Sequence, residues 1–173
     1  MRLPLLRGFL VMLAVGLLFN PAFGQTTEKQ TTVETTPIIL FVCEHGAAKS
    51  VIATAYFNKL ARERGLKYQA ISRGTNPDAT LAPVAEKGLR EDGLDTSGWK
   101  PALVVKSDMD AAFRIITFGC TLPNGADGAA KVTDWHDISS PSQNYGLARD
   151  EIRKRVQRLV DDLAAKEKER KRN

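Results

Sequence analysis

The sequence predicts an α/β fold, a three-layer sandwich with a four-stranded parallel sheet between helices. Three observations predict it. Short apolar runs alternate along the chain with stretches of helical period, and turn residues separate the two kinds of segment. The run at 38–42 also passes through a small-residue loop straight into a helical stretch, as a strand does when it feeds a crossover helix.

The elements follow in order. Residues 38–42, Ile-Ile-Leu-Phe-Val, form a first strand, apolar throughout as a strand buried on both faces must be. Residues 50–64 form a helix that Gly65 closes. At 68–72 a second strand sets Tyr68, Ala70 and Ser72 against Gln69, Ile71 and Arg73. Asn76-Pro77-Asp78 is a loop, and a second helix spans 82–91, ending near Gly93. Residues 113–118 form a third, strongly apolar strand, 124–128 a turn, and 130–134 a short fourth strand. From Tyr145 to about Lys168 the helical period places Ile152, Val156, Leu159, Val160 and Leu163 on one face.

The N-terminus reads as an address rather than as structure. Arg2 and Arg7 give a positive start, residues 8–19 are almost wholly apolar, and Ala22-Phe23-Gly24 offers small residues before a cut at Gln25. Residues 1–24 are therefore expected to be a secretory signal peptide, and the product exported, periplasmic or secreted. The apolar run is too short for a comfortable membrane span, so none is expected after cleavage. An uncleaved anchor is the alternative. The Thr-rich stretch 25–36 has little to bury and reads as a flexible linker. Residues 37–173 suit one domain.

The formal charge is +5, and loss of Arg2 and Arg7 leaves +3. Much of the positive charge lies in a helical tail from about 166, where signs alternate and no aromatic residue intervenes. That is a solvated helix end and gives no reason to expect nucleic acid. Two cysteines, Cys43 and Cys120, make neither a disulfide scaffold nor a zinc pattern. In an exported protein the pair still invites one bridge. His45 and His136 could meet at one edge of the sheet and, with Cys43 or Asp137, hold a metal. No two of these share a helical face or a tight spacing, so no metal and no cofactor is expected. The plain readings are a loop donor to an anion for His45 and a surface residue beside Trp135 for His136. Trp99 and Trp135 read as packing residues; Tyr145 reads either as an entrance residue or as the start of the last helix.

Chemistry concentrates at Cys43-Glu44-His45-Gly46-Ala47-Ala48-Lys49-Ser50. The cysteine stands at the C-terminal end of a strand, where open α/β sheets bind ligands. Backbone N–H groups of such a loop converge, and the following helix adds partial positive charge. A thiol there is pushed toward thiolate, and an oxyanion can sit against the same N–H groups. An inert buried thiol is the plain alternative.

Cys43-x5-Lys49-Ser50 resembles the Cys-x5-Arg-Ser loop of the low-molecular-weight protein tyrosine phosphatases and of the thioredoxin-coupled arsenate reductases that share their fold. Ser72-Arg73-Gly74-Thr75 resembles the family's Ser-Ala-Gly-Thr, and Gly88 to Asp95 its helix followed by Gly-Ile-Asp. Residues 115–120, Asp134-Trp135 and 148–152 are similar to the arsenate-reductase branch. The resemblance covers 36 to about 165. It implies the phosphotyrosine protein phosphatase I-like fold, with strands in the order 2-1-3-4. It further implies that Cys43 attacks phosphorus or arsenic as the nucleophile, that the N–H groups of Glu44, His45, Gly46, Ala47, Ala48 and Lys49 hold the non-bridging oxygens, that Ser50 hydrogen-bonds the sulfur, and that an aspartic acid protonates the leaving oxygen.

Three departures bear on that chemistry. Lys49 replaces an arginine whose planar fork grips two oxygens at once. The family's Asp-Pro acid falls in register on Ser139-Ser140, with Asp137 two residues early and Pro141 one late, so Asp137 is the candidate acid. The reductase branch uses three cysteines; Cys120 matches the second, and 121–134 holds no third. The 2-1-3-4 order puts Cys43 and Cys120 at one edge on neighbouring strands, which makes Cys120 a redox partner and a 43–120 disulfide reachable. Three functions follow from the resemblance. One is an exported phosphomonoester hydrolase of weakened activity, whose partner is a phosphorylated substrate. Another is a non-catalytic module for a phosphate-like oxyanion or phosphoprotein. The third is an arsenate-reductase-like thiol–disulfide protein. Oligomeric state is not encoded in any feature of the sequence.

Overall fold

A computed structural model describes residues 35–172. The signal-peptide reading of 1–24 and all but the last two residues of the linker reading lie outside the described residues. The chain forms β1 (Ile38–Cys43), α1 (Lys49–Glu63), β2 (Gln69–Gly74), α2 (Pro83–Glu91), α3 (Lys106–Ala111), β3 (Ala112–Thr117), a 3-10 segment (Pro123–Gly128), β4 (Val132–Asp134) and α4 (Tyr145–Arg172). The strands are parallel and ordered β2-β1-β3-β4, the predicted order.

β1 is central, and Ile39 to Val42 are completely buried, which accounts for the unbroken apolar run. Its side chains divide between two cores. Ile39, Phe41 and Cys43 face Val51, Ile52 and Phe57 of α1 and Ile152, Val156 and Leu159 of α4. Leu40 and Val42 face Met109, Ile115 and Leu122. Helices α1, α2 and α4 thus cover one face, and α3 with the 3-10 segment covers the other. Each large side chain taken out of water here contributes about 1.5–3 kcal/mol. Trp135 is buried against Phe41 and Phe118, and Trp99 packs on the same core. Both tryptophans are packing residues.

Several predicted boundaries move. β2 runs to Gly74, because β1 pairs with it as far as Cys43 and Gly74 is also bonded to Ala102 and Val104. α4 continues to Arg172 rather than ending near 168. The turn at 124–128 is a 3-10 segment with Asn124 and Gly125 in the left-handed region. α3 was not predicted at all. It buries only Met109, so it leaves no period in the sequence. Its anchor is Arg73, whose guanidinium meets Asp108 at two points, 2.8 and 3.1 Å. Arginine stands at 73, where the resembled motif has alanine, and this contact gives it a partner.

On the helical face, Asp92 at the end of α2 joins three elements. Tyr56 and Tyr145 each donate a hydroxyl to its Oδ2 at 2.9 Å, and Arg149 Nη1 reaches Oδ1 at 3.1 Å. Burial, reinforced by Asp92, pushes Tyr56 up to about 12 and raises Tyr145 still further. The Tyr145 ring lies over Gly88, where a Cβ would come within 2.1 Å of it. Of the two readings of Tyr145, the structure has the one in which it starts the last helix.

Candidate active site

The loop between β1 and α1 owes its shape to two glycines. Gly46 has φ +59°, and a Cβ there would lie 2.8 Å from Gly74 N; a Cβ on Gly74 would lie 2.7 Å from Gly46 N. No side chain fits between the two segments at this crossing. The close approach lets the loop pair with the segment after β2. Carbonyls of Cys43, Glu44, His45 and Ala47 accept from the N–H groups of Thr75, Asn76, Asp78 and Ala82 at 2.8–3.1 Å. The N–H groups of 44–48 donate to no backbone carbonyl among the described residues. Helix α1 then starts at Lys49 without a side-chain cap, so its first N–H groups gain no partner from one. A ring of carbonyls turned away and N–H groups left over is what an oxyanion cradle requires.

Cys43, 6 % exposed, lies at the floor of a cleft of about 350 Å³. Its Sγ is 3.1 Å from the Oγ of fully buried Ser50. The loop residues Glu44, His45, Ala47, Ala48 and Lys49 line the same cleft; Gly46 shapes the loop without lining it. Asp78, Ala82 and Val84 from the segment after β2, Phe118 from the end of β3, and Ser140, Pro141 and Ser142 from the segment after β4 complete the lining.

Lys49 and Asp137 are each held by a partner outside the loop. Lys49 Nζ donates to the carbonyl of Ile138 at 2.7 Å, tying the start of α1 to the segment after β4. Asp137 is not among the residues lining the cleft. Its carboxylate is 2.5 Å from Arg155 Nη2, and that hydrogen bond holds it below the usual carboxylate range. Ser139, where the register puts the family's acid, is bonded through N and Oγ to Glu151.

Cys120 is at the same sheet edge as Cys43 but packs against the other core. Its thiol donates to Val42 O at 3.5 Å. Burial raises it, and nearby Cys43 adds to the rise. Both cysteines are free thiols. The histidines are apart in role: His136 pairs with Asp134 at 3.3 Å and His45 with Asp78 at 3.2 Å. Among the described residues no cluster of metal-ligating side chains occurs.

Asp78 is the site residue that sequence reading passed over as part of a loop. One signal was available. If β2 is beside β1, the loop leaving β2 must stand beside the loop leaving β1. No local pattern marks Phe118 or Ser142, which the ends of β3 and of the post-β4 segment bring in.

The known proteins that this chain is similar to include phosphatases and arsenate reductases. The family model for low molecular weight phosphotyrosine protein phosphatase matches residues 38–121. No curated protein sequence matches the chain significantly. Among solved structures, YfkJ from Bacillus subtilis superposes with a TM-score of 0.67 at 20% identity, over 76% of this chain and 97% of its own. The YwlE arginine phosphatase from Geobacillus stearothermophilus gives 0.64 at 21% identity, over 77% and 96%. An arsenate reductase from Archaeoglobus fulgidus gives 0.56 at 32% identity, over 71% and 98%.

Proposed function

Since the chain belongs to the low molecular weight phosphotyrosine protein phosphatase family, we propose that it hydrolyses phosphomonoesters through the thiolate of Cys43. The observation that carries this reading is the sulfur 3.1 Å from Ser50 Oγ, at the base of a loop whose N–H groups lack backbone partners among the described residues. The thiolate attacks phosphorus while those N–H groups take up the charge on the non-bridging oxygens, as preorganised donors do in other oxyanion sites. Ser50 then hydrogen-bonds the sulfur as water displaces it from the phosphoryl group, lowering the cost of the leaving thiolate. Val84, Phe118 and Pro141 give the cleft an apolar wall for the organic part of the ester.

Two observations favour a slower enzyme, or a module that binds a phosphate-like oxyanion without turning it over. Lys49 is bonded to a carbonyl, and Asp137 is bonded to Arg155. Losing a two-point grip on the equatorial oxygens costs on the order of 2–4 kcal/mol in such transition states. The arsenate-reductase-like reading draws on the nearness of Cys120 to Cys43. Export is a further part of the proposal and rests on residues 1–24; the mature N-terminus is expected at Gln25, read by mass spectrometry of secreted protein.

Phosphate release from p-nitrophenyl phosphate by the reduced protein tests the central reading. Cys43→Ser is expected to abolish release. Retention of phosphate binding with no release by the parent would leave the binding module instead. Arsenate-dependent loss of both thiols would support the redox reading.

A further inference from the structure

If an ester is cleaved in this cleft, its leaving oxygen needs a proton unless it is already a good leaving group. The residues that could supply one are few. The post-β4 segment contributes Ser140, Pro141 and Ser142 to the wall, none of which is an acid near neutral pH. Asp137 on that segment is turned to Arg155. The ionisable residues lining the cleft are Cys43, Glu44, His45, Lys49 and Asp78. Cys43 is the nucleophile, and Lys49 is bonded to Ile138 O.

That leaves the mouth of the loop. His45 Nδ1 lies 3.2 Å from Asp78 Oδ1, so the carboxylate orients the ring and can balance a positive charge on it. The other nitrogen, Nε2, is 3.8 Å from Glu44 Oε2, beyond hydrogen-bond length, and is available to an incoming oxygen. The backbone holds this pair together as well: Asp78 N donates to His45 O at 3.0 Å. The loop that carries the nucleophile and the loop that carries the orienting carboxylate are thus fixed to each other.

We propose that His45, positioned by Asp78, is the general acid of this site. The inference rests on the hydrolase reading above and deepens it. In the first step Cys43 Sγ forms a bond to phosphorus, the ester P–O bond breaks, and the leaving oxygen takes the proton from His45 Nε2. In the second step the now neutral imidazole removes a proton from water as that water attacks phosphorus. The P–S bond breaks, the thiolate is regenerated and inorganic phosphate leaves. No other reactant enters, and His45 ends protonated as it began.

A series of aryl phosphates with leaving groups of rising basicity tests this, read as kcat/KM so that the bond-breaking step is followed. His45→Asn should lower kcat/KM by about 10²-fold on phenyl phosphate, whose leaving group needs a proton. It should change 2,4-dinitrophenyl phosphate by less than about threefold, since that phenolate leaves unaided. Asp78→Asn should show the same pattern with a smaller loss. A loss of equal size across the series for His45→Asn would overturn the assignment, because it would mark a merely structural role. A steep dependence produced by Asp137→Asn and not by His45→Asn would overturn it in favour of Asp137, the candidate acid of the sequence analysis. Failure of the parent reading looks different: the unmodified protein would release no phosphate even from the dinitrophenyl ester and would match Cys43→Ser, and both proposals would fall together.

Discussion

The two faces of the sheet meet at the end of β1, and each holds one thiol. On the face under α1, α2 and α4, Cys43 has a hydroxyl at 3.1 Å and a loop whose N–H groups have no backbone partners among the described residues. On the face under α3, Cys120 instead gives its own proton to a carbonyl at 3.5 Å, and burial raises its pKa. Both residues are at strand ends on the same edge. What separates the two thiols is what surrounds each sulfur, a buried hydroxyl and an open loop in one case and a backbone carbonyl and the second core in the other, not the address in the fold.

The hardest blow to that contrast is Gly46→Ala. Its Cβ would sit 2.8 Å from Gly74 N, on a backbone with φ +59°. We expect a loss of about 3 kcal/mol or more, measured by urea unfolding, because neither segment can withdraw without breaking its bonds to the other. Iodoacetamide labelling of Cys43 should fall toward that of Cys120. Wild-type stability in this variant would show that the crossing is not tight.

High pH should weaken the Cys43 face first. Tyr56 is raised to about 12, so its neutral phenol is favoured by the fold. That contribution is complete below the ordinary tyrosine pKa of ~10 and is lost as pH rises through about 12. It amounts to something on the order of 2–3 kcal/mol, with Tyr145 acting in the same sense. Thermal unfolding between those limits should steepen with pH, and Tyr56→Phe should flatten the slope. An unchanged slope would mean that Asp92 does not hold the two phenols as described.

A direct measure of the two thiols is their alkylation at neutral pH. Cys43 should react at least about tenfold faster, with Cys120 labelling only above the free-thiol range near pH ~8.5. Equal rates would erase the contrast. The smallest expected effect is that of Lys49→Arg. An arginine can keep the Ile138 carbonyl and still offer N–H groups to an oxyanion, so kcat should rise by about threefold to tenfold. No gain, with phosphate affinity unchanged, would place residue 49 wholly in loop support.

How much of this was legible in the sequence follows the range of the interactions. β1 was plain because burial on both faces removes every polar residue from 39–42, and α4 because its buried residues recur at helical spacing. The loop of Cys43 and Ser50 was legible because its parts are contiguous. α3 was not, since a single buried methionine and an arginine 35 residues upstream anchor it. The placements of Lys49, Asp137 and Asp78 were also hidden. Each depends on a partner from another element: Ile138, Arg155 and His45. Asp137 was the candidate acid because it is the aspartate nearest the position that register gives the acid, but nearness in sequence says nothing about which way a carboxylate turns.

The loop's division of labour between carbonyls and N–H groups has a spectroscopic consequence. Thr75, Asn76, Asp78 and Ala82 donate their amide protons to it, so those four amides should exchange slowly with deuterium whether or not the cleft is filled. The amides of 44–48 have no such partner among the described residues and should exchange fast in the empty protein. Adding phosphate or vanadate should slow those five and move their resonances while the other four stay still. The protein thus carries its own internal reference: one strip of backbone that reports the ligand, laced to a second strip that reports only whether the first is still folded.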